Sequence, residues 1–228
     1  MTQFTVHGIP GSPYVRTPLL VLEEKGLDWR LAAIPFGGNR TPEYRARHPF
    51  LKIPSLEHGD FQLYETQAIV RYIDRIAPNP PLTPADPRAA ARMDQLLNIA
   101  DCYVAQRVSG ALAFPRMVAP RFGMPVDETK IAAAMPEAAE AVAEVARLLG
   151  NKPFLAGDAL SLADLHLIPQ MSFLPHFDEG QLLLSPYPEL AAWIERMSAR
   201  PSMAATSWEV LMERAGIPLP PMPEPVAA

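Results

Sequence analysis

The stretch HPFLKIPSLEHGDFQLYETQAIVRYIDRI, from His48 to Ile76, predicts two short strands followed directly by a helix. Pro54 cannot donate to a sheet ladder, so it fits the start or the edge of a strand over Ser55 to Glu57. His58-Gly59-Asp60 predicts a tight turn, because glycine readily takes the left-handed conformation that such turns need. Phe61 to Tyr64 is typical of the returning strand.

At Glu65 and Thr66 the apolar period changes from two residues to about 3.6. The apolar stripe that follows comprises Ile69, Tyr72, Ile73 and Ile76. Glu65 and Thr66 therefore stand where a helix begins, and there unpaired amide N–H groups and the helix dipole favour an anion. Two interpretations are open. Thr66 caps the helix while Glu65 complements the dipole, or the pair binds a ligand that carries both a carboxylate and an ammonium group.

Length and composition describe an ordinary soluble globular protein. The chain has 228 residues, of which 49% are apolar and 20% charged, and a formal net charge of −5. This balance argues against nucleic acid and against an anionic membrane as partners. No apolar run is long enough to span a bilayer, and Met1 leads straight into a strand, so we expect no signal peptide. The single cysteine, Cys102, excludes an internal disulfide; we expect it to be a small buried residue in a cytoplasmic protein.

The residues before His48 predict a βαβ unit. Phe4 to His7 is typical of a strand, and Ser12-Pro13 opens a helix, with serine at the N-cap and proline at the first helical position. Gly26 ends that helix, and Asp28 to Ile34 predicts a second strand. Together with the ββα stretch that follows, this order predicts a thioredoxin-like α/β domain.

The rest of the chain predicts an all-α domain. The proline-rich segment Ala77 to Pro87 is typical of a linker. Helical patterns follow over 88–113, 127–149, 188–200 and 202–214. Ser161 to Asp164 predicts a capping box, with Leu160 and Leu165 as a hydrophobic staple. We therefore expect a thioredoxin-like domain over 1–77, a linker over 78–87, a helical bundle over 88–216 and a proline-rich tail over 217–228.

These features resemble the glutathione S-transferase family. In the glutathione-binding half of that family, an X-Pro pair leads into a strand, a turn and a second strand, and a Glu-Ser-x-Ala-Ile sequence then begins a helix. In this chain the X-Pro pair is Ile53-Pro54, and the helix begins with Glu65-Thr66-Gln67-Ala68-Ile69. Its second half shares the capping box and a tryptophan helix that ends in Arg-Pro, here Trp193 to Pro201. The resemblance covers roughly residues 3 to 213. Within the family, the chain most resembles serine-type, phi- or theta-like bacterial members. It implies a detoxifying homodimer, with Phe50 as a candidate to insert into the partner.

The resemblance implies an enzyme that activates the thiol of glutathione as a thiolate for attack on an apolar electrophile. A free thiol has a pKa of about 8.5, so only a small fraction is ionised at neutral pH. A hydroxyl that donates to the sulfur at a helix N-terminus favours the anion. Ser12 holds that position, although it can also be only a helix cap. Tyr14 is the second candidate, followed by Thr17 and Ser55.

The family's glutathione contacts carry over residue by residue. Glu65 would bind the ammonium and Thr66 the carboxylate of the γ-glutamyl group, and Ile53, in a cis bond to Pro54, would pair its backbone with the cysteinyl unit. The glycyl carboxylate needs a cation from the basic segment 40–52. The candidates there are Arg40 and Asn39, in place of the phi-class Lys and His, and Lys52. The replacement of the family's glycine by Leu51 is a further departure from the phi pattern.

The second substrate is expected between the loop Gly8 to Ser12 and the helix from Arg88. The candidates by position are Tyr103, Gln106, Arg107, Ala111, Phe114 and Met117, although most of such a stripe is usually core. Arg107 and Arg116 would favour an acidic or polarised electrophile. Glutathione is the expected co-substrate, and no metal is expected. Peroxidase or isomerase action with the same thiolate, a non-catalytic glutathione-binding or interaction module, and a structural dimer without a ligand are the alternatives.

Overall fold

The computed structural model describes residues 3–221 and divides into two compact units. Of these residues, the first unit holds 3–85 together with Ala199–Pro218, and the second holds Asp86–Ser198 together with 219–221. The sequence pattern assigned 199–216 to the helical domain, whereas here Ala199–Pro218, the C-terminal segment, packs with the first unit. The exact domain bounds remain a prediction. The predicted tail lies mostly outside the described residues.

The first unit is built on a four-stranded mixed sheet. Its strands are β1 (Phe4–Gly8), β2 (Trp29–Ala33), β3 (Ser55–His58) and β4 (Phe61–Tyr64), in the order β2-β1-β3-β4. β1 runs parallel to β2 and antiparallel to β3, and β3 pairs antiparallel with β4. Gly59 takes the left-handed conformation in the turn between β3 and β4, with φ 65°. The predicted βαβ–ββα order is therefore confirmed.

Two helices of the first unit cover the sheet. They are α1 (Pro13–Glu24) and α3 (Thr66–Ile76). The core that they form with β1 consists of side chains that are essentially inaccessible, namely Val6, Leu19, Leu22, Ile69 and Ile73. The segment between β2 and β3 contains a 3₁₀ turn, Gly38–Arg40, and a short helix, α2 (Pro42–Arg45). Thr41 caps α2, because its hydroxyl accepts the Tyr44 N–H at 3.3 Å.

The C-terminal segment returns to α1. It contains two short helices, α9 (Pro201–Ala205) and α10 (Trp208–Ala215), rather than the single helix predicted over 202–214. The Arg200 guanidinium donates two hydrogen bonds to Glu24, at 2.8 and 2.7 Å, near the end of α1. This ion pair fixes the start of the segment against the first unit.

In the second unit the long predicted helix changes its hydrogen-bond pattern midway. α4 (Pro87–Ile99) continues directly into a π-helix over Ala100–Val118. Four of the buried side chains of the π-helix recur every fourth residue, at Ala100, Val104, Val108 and Leu112, and Ala113 is also buried. Cys102 lies off this stripe and is exposed, so the prediction that it is buried is wrong.

The remaining helices of the second unit are α5 (Glu128–Leu149), α6 (Leu162–Met171), α7 (Asp178–Leu184) and α8 (Pro188–Ser198). The predicted capping box is confirmed at the start of α6, where the Asp164 carboxylate accepts the Ser161 N–H at 3.0 Å and the Ser161 hydroxyl at 2.7 Å. Asp164 also accepts the Trp193 indole N–H at 3.0 Å, which ties α8 to α6. Burial raises the pKa of the Asp164 carboxyl, although these hydrogen bonds oppose the shift.

Across residues 3–221, no helix is both long and apolar enough to cross a bilayer. In the same part of the chain, no three His, Cys, Asp or Glu side chains are grouped where they can share a metal ion.

Candidate active site

Ser12 lies at the junction between β1 and α1. It is the N-cap residue of α1, with φ −58° and ψ 127°, and its side chain makes no capping hydrogen bond. Its backbone is fixed, because its N–H donates to the Ile9 carbonyl at 3.2 Å and its carbonyl accepts the Arg16 N–H at 2.9 Å. The half-buried hydroxyl therefore stands at the positive end of the helix dipole without serving the helix as a cap.

The other candidate hydroxyls are less suitably placed. Thr17 is buried and its hydroxyl donates to the Pro13 carbonyl at 3.0 Å. Ser55 is buried at the start of β3. Tyr14 is half-buried in the first turn of α1. Of the four candidates, Ser12 combines an accessible hydroxyl with the helix N-terminus itself.

The bond between Ile53 and Pro54 is cis, as the resemblance implied. Pro54 is buried and Ile53 is half-buried, two residues before β3 begins. The Ile53 backbone thus continues the line of β3, which is the position from which a strand-like peptide ligand can be bound.

Glu65 takes a left-handed backbone conformation at the N-cap of α3, with φ 73° and ψ 116°. Its side chain makes no capping bond and is 64% exposed, with the carboxylate 3.9 Å from the His48 imidazole. Thr66, the first residue of α3, is buried. A positive φ at a non-glycine residue costs about 1–3 kcal/mol and is typical of functional sites. The geometry supports the interpretation that this pair binds a ligand rather than only caps the helix.

Asn39 has a structural partner inside the predicted glycyl-binding region. Its amide donates a hydrogen bond to the Leu51 carbonyl at 2.6 Å. Leu51 itself has a left-handed backbone, with φ 56°, at the position where the family pattern has glycine. Asn39 therefore holds the loop that leads to Ile53. The side chains of Arg40 and Lys52 are exposed and remain the candidates for an anion contact.

The other basic residues of segment 40–52 have partners within the first unit. Arg47 forms an ion pair with Glu57, which also lies 2.9 Å from the His7 imidazole. Although burial opposes the shift, the hydrogen bonds from Arg47 and His7 lower the pKa of the Glu57 carboxyl. Arg45 donates to the Pro49 carbonyl at 3.4 Å. These contacts make Arg45 and Arg47 structural residues of the α2 region.

His48 lies in an aromatic cluster beside this loop. Its buried ring lies 4.7 Å from the Tyr64 ring and 6.2 Å from the Phe50 ring, measured between centroids. Burial lowers the pKa of His48, which favours the neutral imidazole. Phe50 is 68% exposed, the largest exposed fraction among the large hydrophobic residues that the structure describes.

The candidates for the second substrate lie on the π-helix of the second unit. Tyr103 and Gln106 are exposed, and Ala111, Phe114 and Met117 are half-buried. The Arg107 guanidinium lies over the Tyr103 ring, 5.2 Å from its centroid, and pairs with Glu140 at 2.6 Å. These assignments stay predictions.

Arg116 also has carboxylate partners. It binds Glu128 at 2.7 Å and Glu179 at 2.5 Å, and these hydrogen bonds raise its pKa. The guanidinium groups of Arg107 and Arg116 are thus both engaged within the second unit, which weakens the expectation that they select an acidic electrophile.

Comparison with known proteins places this fold in one class. Residues 6–81 match the family model of the glutathione S-transferase N-terminal domain, and residues 102–201 match that of the C-terminal domain. Glutathione S-transferase 3 of Zea mays is 33% identical over 98% of both chains. Glutathione S-transferase F14 of Arabidopsis thaliana is 33% identical over 82% of this chain and 76% of its own.

Solved structures agree with these matches. Glutathione transferase F7 from Populus trichocarpa superposes with a TM-score of 0.80 at 27% identity, over 91% of this chain and 99% of its own. Glutathione S-transferase III in its apo form gives a TM-score of 0.80 at 30% identity, over 97% and 100%. The class is thus a two-domain enzyme with a thioredoxin-like first domain and a helical second domain. The chain belongs to the glutathione S-transferase family.

The finer expectation about the subfamily is only partly correct. Three of the four relatives named above come from plants and two of them are F-type, so the family and its phi-like character hold. The bacterial and theta-like parts of that expectation have no support from these relatives.

Proposed function

We propose that this chain is a glutathione transferase in which the Ser12 hydroxyl donates a hydrogen bond to the glutathione sulfur and holds it as a thiolate. The thiol proton passes to solvent, and the thiolate forms a C–S bond to an apolar electrophile as the leaving group departs. The observation that carries the proposal is that Ser12 stands at the N-terminus of α1 while its side chain makes no cap bond.

A hydrogen bond from Ser12 and the dipole of α1 are together strong enough to ionise the thiol of glutathione at neutral pH. A hydrogen bond to the anion and the helix dipole each favour ionisation, and one pKa unit corresponds to about 1.4 kcal/mol. Together they can lower the pKa of a thiol from about 8.5 by one to two units. This shift changes a minor ionised fraction at neutral pH into a major one.

The tripeptide is held at three places in the proposal. Glu65 pairs with the γ-glutamyl ammonium and Thr66 binds the neighbouring carboxylate at the start of α3. The Ile53 backbone pairs with the cysteinyl unit, ahead of Pro54. Arg40 and Lys52 attract the glycyl carboxylate, while Asn39 acts by holding the Leu51 carbonyl and not by touching the ligand.

Related structures support conjugation as the reaction. Glutathione S-transferase I of maize was solved in complex with an atrazine glutathione conjugate, and it superposes on this chain with a TM-score of 0.78 at 25% identity. By analogy, we propose an aromatic or otherwise apolar electrophile for this chain, in a detoxifying role in the cytoplasm. Tyr103, Gln106, Arg107 and Phe114 remain the proposed second-substrate residues.

A matched pair of variants tests the role of Ser12. Ser12→Ala should lower kcat with a model aryl halide about 100-fold or more, because one hydrogen-bond donor to a developing or stored anion is lost. Its Kd for glutathione, measured by calorimetry, should stay within about threefold of wild type, because the anchors at α3 are intact. Tyr14→Phe is the control and should keep its activity. An inactive Tyr14→Phe protein with a fully active Ser12→Ala protein would reverse the assignment.

The assembly is also part of the proposal. Phe50 is an exposed apolar side chain on a loop held by His48 and Tyr64, which suits it to insert into a second copy of the chain. Phe50→Ala should shift the protein toward monomer in sedimentation at micromolar concentration. Phe36→Ala, at a second exposed aromatic position of the same unit, should not. Monomeric wild-type protein would contradict the dimer.

A further inference from the structure

The loop that carries Ser12 is covered by a side chain from the far end of the chain. Gly11 has φ 82°, and a methyl group placed on it would lie 2.6 Å from Cδ1 and from Cγ of Trp208. The indole of Trp208, the first residue of α10, therefore packs directly over the Gly11 backbone. Ser12 is the next residue, so the indole borders the proposed catalytic hydroxyl.

The backbone around Trp208 is fixed against α1 at two further places. Near the C-terminal end of α1, Glu24 accepts hydrogen bonds from Arg200 and from the Ser202 hydroxyl, the latter at 2.5 Å. In the first turn of α1, the Arg16 guanidinium donates to the Met203 carbonyl at 3.3 Å. The C-terminal segment thus runs along α1 from its end toward its beginning, and Trp208 is its contact at the beginning.

Burial of the charged Arg16 side chain costs free energy. Its side chain is buried and its Nε has no hydrogen-bond partner. Burial lowers the pKa of Arg16 to about 10, so it stays charged at neutral pH, and the nearby Glu209 carboxylate of α10 favours that charge. A buried cation without a full set of hydrogen-bond partners lowers the stability of the fold. The position of Arg16 also fixes α9 and α10 relative to α1.

From this arrangement we infer that Trp208 is a positioning residue for the reaction, an inference that rests on the proposed role of Ser12. The Gly11 backbone has a conformation that only glycine adopts easily, and the indole removes the free space in which this flexible position would otherwise move. Trp208 thereby holds the Ser12 hydroxyl at hydrogen-bonding distance from the thiolate. The binding of the tripeptide depends on other residues, so Trp208 acts on ionisation and turnover and not on affinity.

Replacement of the indole gives the first test. Trp208→Ala should lower kcat about tenfold or more, because small misplacements of a catalytic group have large effects. It should also raise the pKa of the glutathione thiol in the complex, while the Kd for glutathione at low pH stays within about twofold. Trp208→Phe keeps an aromatic ring over Gly11 and should retain most of the activity.

A control separates positioning from loss of stability. Leu211 is a fully buried residue of the same helix, α10, and Leu211→Ala removes packing from this helix while the indole of Trp208 is kept. At a temperature where both variants are folded, Leu211→Ala should leave the thiol pKa unchanged. An equal rise of the thiol pKa in Leu211→Ala and Trp208→Ala would overturn the inference.

A double mutant then tests the contact itself. Gly11→Ala introduces the methyl group that meets the indole, and Trp208→Ala removes the obstacle. The loss of kcat in the double variant should be at least severalfold smaller than the product of the two single losses. Strictly multiplicative losses would contradict the contact. If wild-type protein binds glutathione without lowering its thiol pKa, the role of Ser12 fails first, and Trp208 has nothing to position.

Discussion

At the scale of single residues, the proposed glutathione site is bordered by two non-glycine residues with left-handed backbones. They are Leu51, with φ 56°, and Glu65, with φ 73°. Each conformation costs about 1–3 kcal/mol and persists because the surroundings fix it. Local sequence patterns cannot reveal such conformations, since nothing in leucine or glutamate favours them. The family pattern does point to Leu51, because it places a glycine there.

Glu65 should show a trade-off between stability and binding. Glu65→Gly relieves the left-handed strain, so the free energy of unfolding should rise or stay level, by about 0–1 kcal/mol. The same variant loses the carboxylate, and its Kd for glutathione should rise about tenfold or more. Chemical denaturation and calorimetry measure the two quantities. Glycine at this position with wild-type affinity would exclude Glu65 from the ammonium contact.

Asn39 and Leu51 should prove to be coupled. Asn39→Ala removes the hydrogen bond to the Leu51 carbonyl and should lower the free energy of unfolding by about 0.5–1.5 kcal/mol, with weaker glutathione binding. In a Leu51→Gly background the loop no longer needs that bond to keep its conformation, so the cost of Asn39→Ala should shrink. Denaturant melts of the four proteins give the coupling. Identical costs in both backgrounds would leave Asn39 without this role.

At the scale of elements, the sequence predicted those helix starts that are marked by residues close together in the chain. Ser12-Pro13 marks the start of α1, and the change of period at Glu65 marks the start of α3. The short helix α2 was missed although Thr41-Pro42 repeats the signal of Ser12-Pro13, because a helix of one turn leaves no apolar periodicity. The exposure of Cys102 was missed because that prediction rested on the usual burial of free cysteine and not on helix periodicity, which already leaves position 102 off the stripe of Ala100, Val104 and Val108.

At the junction between α1 and the linker, a single substitution should lower the free energy of unfolding strongly. The buried Lys25 ammonium lies 2.8 Å from Asp74 and donates to the Ala77 and Pro80 carbonyls at 2.6 and 2.7 Å. Lys25→Met leaves a buried carboxylate and two carbonyls without their cation, so we expect a loss of about 3–5 kcal/mol in the free energy of unfolding.

Urea denaturation measures this loss, and a surface pair provides the comparison. Arg147 pairs with Glu144 on the exposed face of α5, and Arg147→Met should leave the urea midpoint unchanged. Similar midpoints for Lys25→Met and Arg147→Met would show that the buried lysine has no special role at the junction.

At the scale of the whole molecule, the sequence predicted two domains and their classes, but not the course of the chain's end. The hydrogen bond from Arg16 to Met203 joins residues 187 positions apart, and the contact of Trp208 with Gly11 has a similar span. Helix patterns assigned both short helices to the second domain, because periodicity shows which face is apolar but not which surface it meets. The part of the candidate site that came from the resemblance, including the cis Ile53-Pro54 bond, did not depend on such contacts.

The most direct test of the account is the pKa of the glutathione thiol in its complex with the protein, from the ultraviolet absorbance of the thiolate across a pH titration. For wild-type protein we expect a value about one to two units below the free thiol, and for Ser12→Ala a value close to that of free glutathione. An equally low pKa in both complexes would contradict the claim that the Ser12 hydroxyl stabilises the thiolate.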